Sequence, residues 1–426
     1  MIKRISLFLS SSIISQGINF VSGIILMRYL TVSVYGEYSL ITEFLAVFAA
    51  FADGGLYVYY VKKFSEDGDG NLPLINGVQF VISFCLLLIM ILTALLLLEL
   101  ELASLTLLGA LGMVLLSFHS PKYSKLFASE NTLLAAIRDL LSPVIKIVVV
   151  IIGVILKLDL WFFISVFLIQ FIFISIFWFR LNWKNKGQFS NRIRFSLNYL
   201  KTTFAVGSSF SLLMVVNILY NKIDVFMLNA YSTPENVAFY AGATRFVYPL
   251  MFISSSFMKV IFPKLVKNSD NEQFNNEQFL AIRYLGLIGF LVSLSLFLTA
   301  PYFYEFIFGV KYLNSIEPFQ SLVWYLLIVF LYGVLSNGIV AKGGVNVLLI
   351  VNIVMLTVNV LLNYFLIPEF QEIGAVWATL FCEILVFVYV VVYSIAKFKS
   401  TIPKETYLYV AFAVCLNIYL IFNFIK

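Results

Sequence analysis

The chain has 426 residues; 62% are hydrophobic, only 12% are charged, and the formal net charge is +6. A soluble globular chain is roughly 45–50% apolar and about 25% charged, so a soluble three-domain protein is excluded and the mean hydropathy of +0.98 marks an integral membrane protein. The single histidine, His119, and three cysteines far apart in sequence, Cys85, Cys382 and Cys415, argue against a disulfide framework, a His-based metal site or a Ser-His-Asp triad.

After the basic start Met1-Ile2-Lys3-Arg4, the chain stays uncharged from 5 to 27. That is longer than the ~7–15 residues of a signal-peptide core and lacks a small-residue cleavage site, so a retained first helix is predicted. A crossing helix needs about 20 apolar residues. Uncharged stretches of that length follow at 70–98, 102–121, 160–179, 202–221, 284–304, 318–341, 343–368 and 406–425. Four further hydrophobic segments, 38–61, 131–156, 236–262 and 373–396, are each interrupted by a few charges. The predicted fold is an all-α polytopic membrane protein; a β-barrel would need ~10-residue alternating strands. With the N-terminus inside, the loops place 19 of the 28 Lys and Arg on the cytoplasmic side and 4 outside. This is the asymmetry that orients membrane proteins. The basic segment 181–199 halves the chain. It predicts an N-terminal six-helix lobe over 1–180, a cytoplasmic linker over 181–199 and a C-terminal six-helix lobe over 200–397. A turn and a thirteenth, C-terminal helix then fill 398–426. The turn Asp67-Gly68-Asp69-Gly70-Asn71 lacks the later residues of a calcium loop, and no Walker A pattern is present. No metal, cofactor or nucleic-acid partner is expected.

The halves resemble one another. Ile25–Thr31 followed by Tyr35-Gly36-Glu37-Tyr38 is matched by Val225–Thr233 followed by Phe239-Tyr240-Ala241-Gly242: a long helix, a short polar turn and an aromatic-glycine re-entry. Six spans per half make the repeats parallel, with a pseudo-twofold axis along the membrane normal and a substrate site between the lobes.

The segments Ser12–Phe20 through Tyr38, Asn221-Lys222-Ile223-Asp224 followed by Tyr240–Arg245, Ile261-Phe262-Pro263-Lys264, and Asn363–Pro368 followed by Ile373-Gly374-Ala375 carry a family resemblance. On them the chain resembles the polysaccharide-repeat (O-antigen type) flippases of the multidrug/oligosaccharidyl-lipid/polysaccharide exporter superfamily, over about residues 5–400. The resemblance implies translocation of undecaprenyl-pyrophosphate-linked oligosaccharide repeat units from the inner to the outer leaflet of a bacterial plasma membrane. The glycan would serve O-antigen, capsule or exopolysaccharide synthesis. Membrane lipids, a coupling proton or sodium ion and the polysaccharide polymerase machinery are the other implied partners.

Charges inside spans are costly and mark function. Arg28, Arg138, Lys146, Lys222 and Arg245 are candidate ligands for a substrate phosphate. Asn19 and Asn359, on polar stripes of the first and eleventh spans, are candidates for the glycan, although such stripes also serve as helix-packing contacts. Asp53 and Asp224 are candidate coupling groups, with Glu43, Asp139 and Glu383 as further intramembrane acids. Asp224 and Arg245 are expected to bridge adjacent helices or to act separately on ion and phosphate, and both can hold at different stages of a transport cycle. Two alternatives remain at this level: a multidrug/cation antiporter of the same superfamily, which would favour acids over cations, and a membrane-embedded glycan polymerase or ligase, which usually carries a long external loop. The longest predicted external loop here is about 301–316.

Overall fold

The computed structural model describes residues 2–53, 56, 60–61, 63–64, 72–129, 131–184, 189, 192–269 and 271–425, without the side chains of 2–9, 50, 52–53, 132, 204–215, 423 and 425. About 90% of the chain is helical, and the described residues form no strands. In chain order the helices are α1 (Ile2–Tyr29), α2 (Val32–Asp53), α3 (Leu72–Leu97), α4 (Leu100–Ser117), α5 (Ser120–Ala128), α6 (Thr132–Ile155), α7 (Leu160–Ile164), α8 (Val166–Lys184), α9 (Leu197–Tyr231), α10 (Pro234–Leu250), α11 (Phe252–Lys267), α12 (Gln273–Phe308), α13 (Ile316–Leu322), α14 (Trp324–Ala341), α15 (Val345–Phe398) and α16 (Lys404–Ile425). Among them, ten helical segments are long and apolar enough to cross a membrane. The protein is a multi-pass membrane protein. The chain divides into two compact units, Met1–Lys222 and Ile223–Lys426.

In the first unit α1 lies along α6. Ser15 Oγ donates to the Asp139 carbonyl at 3.1 Å, and Tyr29 Oη donates to the Leu158 carbonyl at 3.0 Å. Both numbers rise together, so the two helices run parallel, as first and fifth spans must. Helices α4 and α8 pack closely because Gly112 has no side chain: a Cβ there would sit 2.5 Å from the Leu168 nitrogen. Leu88, Leu92, Leu95 and Leu96 of α3 are exposed. That pattern suits a helix whose outer face has lipid, not water, for solvent.

In the second unit α14 is the central helix, with every residue from Trp324 to Leu331 buried. Helix α12 crosses it antiparallel, Ser293 Oγ donating to the Val323 carbonyl at 2.9 Å. The C-terminal helix α16 packs on the same pair. Arg283 meets Glu405 at 3.3 Å, and Phe290 stacks on Tyr409 with ring centroids 4.7 Å apart. The 54 residues of α15 would reach about 80 Å as one straight rod, more than twice a bilayer core. Gln371 breaks it, with φ 52° and ψ −130°. Gly374 then lets the returning arm touch the first, since a Cβ on it would lie 2.5 Å from the Leu366 carbonyl oxygen. The predicted spans 343–368 and 373–396 are therefore the two arms of this broken element.

Candidate functional site

The most elaborate polar cluster lies in the second unit, around Asp224 of α9. Its carboxylate is only 1% exposed. Tyr240 of α10 and Thr379 of the second arm of α15 donate hydroxyl hydrogens to Oδ2, each at 2.7 Å. Asn363 of the first arm donates its amide to Oδ1 at 2.7 Å and to Asn359 Oδ1 at 2.9 Å. Asn359 and Asn363 are 1% and 0% exposed, four residues apart and on one helix face. Withdrawing a carboxylate from water costs several kcal/mol. Three hydrogen bonds to a charged acceptor, each about 1.5–3 kcal/mol, are of the size needed to offset it. The cage holds the carboxylate with neutral donors and no Lys or Arg.

In this conformation Asp224 makes no bridge to Arg245. Tyr240 and Arg245 sit on α10 five residues apart, about 140° around the helix. Turning Tyr240 toward Asp224 points Arg245 elsewhere, where it is half-buried. Asn359 and Asp224, selected from sequence, do come together. Tyr240 entered only within the repeat and a resemblance segment, Asn363 only within a resemblance segment, and Thr379 not at all. The acid Glu383, one turn beyond Thr379, is also buried and interacts with Tyr332.

The other candidates lie in the first unit. Lys222 forms an ion pair with Glu43 of α2 at 2.6 Å, and both side chains are about a quarter exposed. Arg138 lies 3.4 Å from Asp139 and over the Tyr123 ring at 4.7 Å, while Tyr123 Oη donates to Asp139 Oδ2 at 2.6 Å. Lys146 is half-buried on α6, two turns beyond Asp139. Arg28 is exposed in the last turn of α1, and Asn19 is exposed at mid-helix. Asp53 ends α2, but its carboxylate, the 67–71 turn and most of 185–191 lie outside the described residues. Exchanging Glu43 and Lys222 together is expected to restore what either reversal alone loses. A double-mutant cycle on thermal unfolding should give a coupling of about 0.5–3 kcal/mol.

Among the described residues the chain is a helical, multi-span membrane protein with a buried acid caged by uncharged donors. Comparison with known proteins agrees. The structure resembles that entitled "Lipid II flippase MurJ, inward closed conformation", with a TM-score of 0.78, 15% identity, and coverage of 97% of this chain and 92% of that one. It also resembles a multidrug resistance MATE family transporter of the MOP superfamily in an inward-facing conformation, with a TM-score of 0.72, 16% identity, and coverage of 94% and 99%. A third is a MOP superfamily transporter from Pyrococcus furiosus whose title describes a binding pocket of reverse polarity, with a TM-score of 0.59, 17% identity, and coverage of 93% and 95%. At such identities these likenesses define the fold. No curated protein matches the chain in sequence. The family model described as "Polysaccharide biosynthesis protein" matches residues 25–317. The chain belongs to that family.

Proposed function

We propose that the protein is a flippase that moves lipid-linked oligosaccharide repeat units across the membrane by alternating access, and not an enzyme. The observation that carries this reading is membership of the polysaccharide biosynthesis protein family over residues 25–317. A fold shared with a structure entitled as a lipid II flippase supports it. The resemblance favours an undecaprenyl-pyrophosphate carrier, an O-antigen, capsule or exopolysaccharide product, and a bacterial plasma membrane with the N-terminus cytoplasmic. The Lys and Arg bias among the loops supports that orientation. Six-helix lobes over 1–180 and 200–397, joined by the basic segment 181–199 and followed by the added helix within 398–426, are the corresponding organisation.

In this reading Arg28, Arg138, Lys146, Lys222 and Arg245 are the phosphate-binding groups. Phosphate must compete with Asp139 for Arg138 and with Glu43 for Lys222. Asn19 is exposed on α1, where a glycan hydroxyl can reach it. Asn359 is buried in the Asp224 cage and fits ion coupling better than glycan binding. Asp224 Oδ1, Asn359 Oδ1 and the buried Asn363 Oδ1, which has no hydrogen-bond partner, supply oxygens for a proton or a sodium ion. Asp53 stays a second coupling candidate from sequence. The polymerase machinery is the downstream partner of such a flippase.

The test is reconstitution into vesicles carrying a fluorescent lipid-linked oligosaccharide in one leaflet. Its transfer to the other leaflet is read by a membrane-impermeant glycosidase. Protein-dependent transfer, quickened by a sodium or proton gradient, is expected. Gradient-driven efflux of a cationic dye without glycolipid transfer would replace this reading with the multidrug antiporter.

A further inference from the structure

In the first unit Arg138 and Asp139 are neighbours on α6, with side chains 24% and 19% exposed. Adjacent residues of a helix point about 100° apart and do not face one another. Their contact is accordingly long: Arg138 Nη1 lies 3.4 Å from Asp139 Oδ1. A guanidinium and a carboxylate that pair well do so through two parallel bonds of about 2.7–2.9 Å. The short bond of Asp139 goes to a neutral donor instead. Tyr123 Oη, on α5, donates to Oδ2 at 2.6 Å, the length of a hydroxyl bonded to a charged acceptor.

Tyr123 also carries the arginine. The Arg138 guanidinium lies over its ring, with Cζ 4.7 Å from the centroid, where the face of the ring attracts a cation. The ring is itself held in place. Phe127, one turn on, packs edge-on against it at 5.0 Å, and both rest on the buried cluster that includes Leu126, Ile174 and Trp178. The Asp139 backbone is tied to α1 through its carbonyl, which accepts from Ser15 Oγ.

The arginine therefore keeps donors in reserve. A guanidinium presents five N–H groups in one plane. Nη1 makes the 3.4 Å contact, and Nε is buried with no hydrogen-bond partner. An unmet buried donor is costly. A phosphate oxygen pair is an acceptor that the planar fork fits.

We propose that Tyr123 is a positioning residue for the substrate phosphate: its hydroxyl holds the Asp139 carboxylate off Arg138 while its ring carries the guanidinium, so that the arginine's donors stay available to a pyrophosphate. The choice of a lipid pyrophosphate as ligand rests on the flippase reading above. Without the hydroxyl, Oδ2 is a charged acceptor that has lost its donor, and it turns to the guanidinium beside it.

The test has two arms. Full-length protein in uncharged detergent is titrated calorimetrically with farnesyl pyrophosphate, against farnesol. The same variants, in vesicles, are assayed for transfer of fluorescent lipid-linked oligosaccharide as its mole fraction is raised. Tyr123→Phe should weaken farnesyl pyrophosphate binding about tenfold or more, the loss of one charged hydrogen bond, and raise the half-saturating mole fraction of glycolipid by a like factor. Adding Asp139→Asn should restore both, because a neutral amide competes poorly for the cation; a tyrosine that served packing alone would not be rescued this way. In an Arg138→Gln background Tyr123→Phe should add nothing. If Tyr123→Phe alone does not fold, Asp139→Asn and the double variant carry the test and should bind alike. This binding pattern without transfer by the wild type supports the role of Tyr123 and removes the flippase reading. Transfer by the wild type, with Tyr123→Phe unaltered in both arms or not restored by Asp139→Asn, overturns the role of Tyr123 and leaves that reading standing. A tenfold gap between Asp139→Asn and the double variant, or equal response of the wild type to farnesyl pyrophosphate and farnesol, overturns it too.

Discussion

Asp224→Asn is expected to abolish glycolipid translocation while leaving the protein folded, and Asp224→Ala is expected to lose both. The difference follows from the cage. Asparagine keeps one acceptor oxygen for Asn363, and its amide can donate to the Tyr240 and Thr379 hydroxyls, which rotate to accept. The hydrogen-bond count is conserved and the negative charge is gone. Alanine leaves three buried donors facing nothing, each at a cost of about 1–3 kcal/mol. Translocation by reconstituted protein, read alongside thermal unfolding, separates the two effects. A fall of about tenfold or more in gradient-driven transfer is expected for Asp224→Asn, in the range of ordinary coupling energies. Transfer at the wild-type rate would remove Asp224 from the coupling mechanism and leave the cage a packing device.

The reading of Asp224 as a coupling group came from its sequence position: a lone acid on an apolar helix is costly and needs a reason. The same cost argument picked out Arg138 and Lys222, and the structure places each beside an acid. Helix positions and the polar stripe bearing Asn359 were legible, because they depend on hydrophobicity and on the 3.6-residue period. Partners across helices were not. Tyr240 lies 16 residues from Asp224 in sequence and Thr379 lies 155 away. No periodicity links one tyrosine among 24 to one buried acid. On α10 charge pointed to Arg245, while packing chose Tyr240. A neutral donor can be buried without a desolvation penalty for a second ion, and opposite charge in a sequence carries no information about which helix face turns inward.

Gly374→Ala is expected to be more damaging than its single methyl suggests. The added Cβ would lie 2.5 Å from the Leu366 oxygen and 2.8 Å from the Leu366 carbonyl carbon. Both are backbone atoms and cannot turn aside, so the two arms of α15 must separate. Leu366 is three residues past Asn363, and Gly374 is five before Thr379. The separation is therefore felt within two turns of the Asp224 cage, where Asn363 and Thr379 hold opposite oxygens of one carboxylate. A loss of about 1–3 kcal/mol in stability is expected from the overpacking, together with a loss of translocation, because the cage loses its spacing. Gly17→Ala is the control. Nothing lies within 4 Å of the added atom, and alanine favours a helix over glycine by about 1 kcal/mol, so stability should hold or rise. Thermal unfolding and vesicle transfer, measured on both variants, make the comparison. If Gly374→Ala unfolds earlier yet transports at the wild-type rate, the Asn363–Asp224–Thr379 geometry is not what limits transport. If both fall together, the close approach at Gly374 sets the geometry of the coupling site.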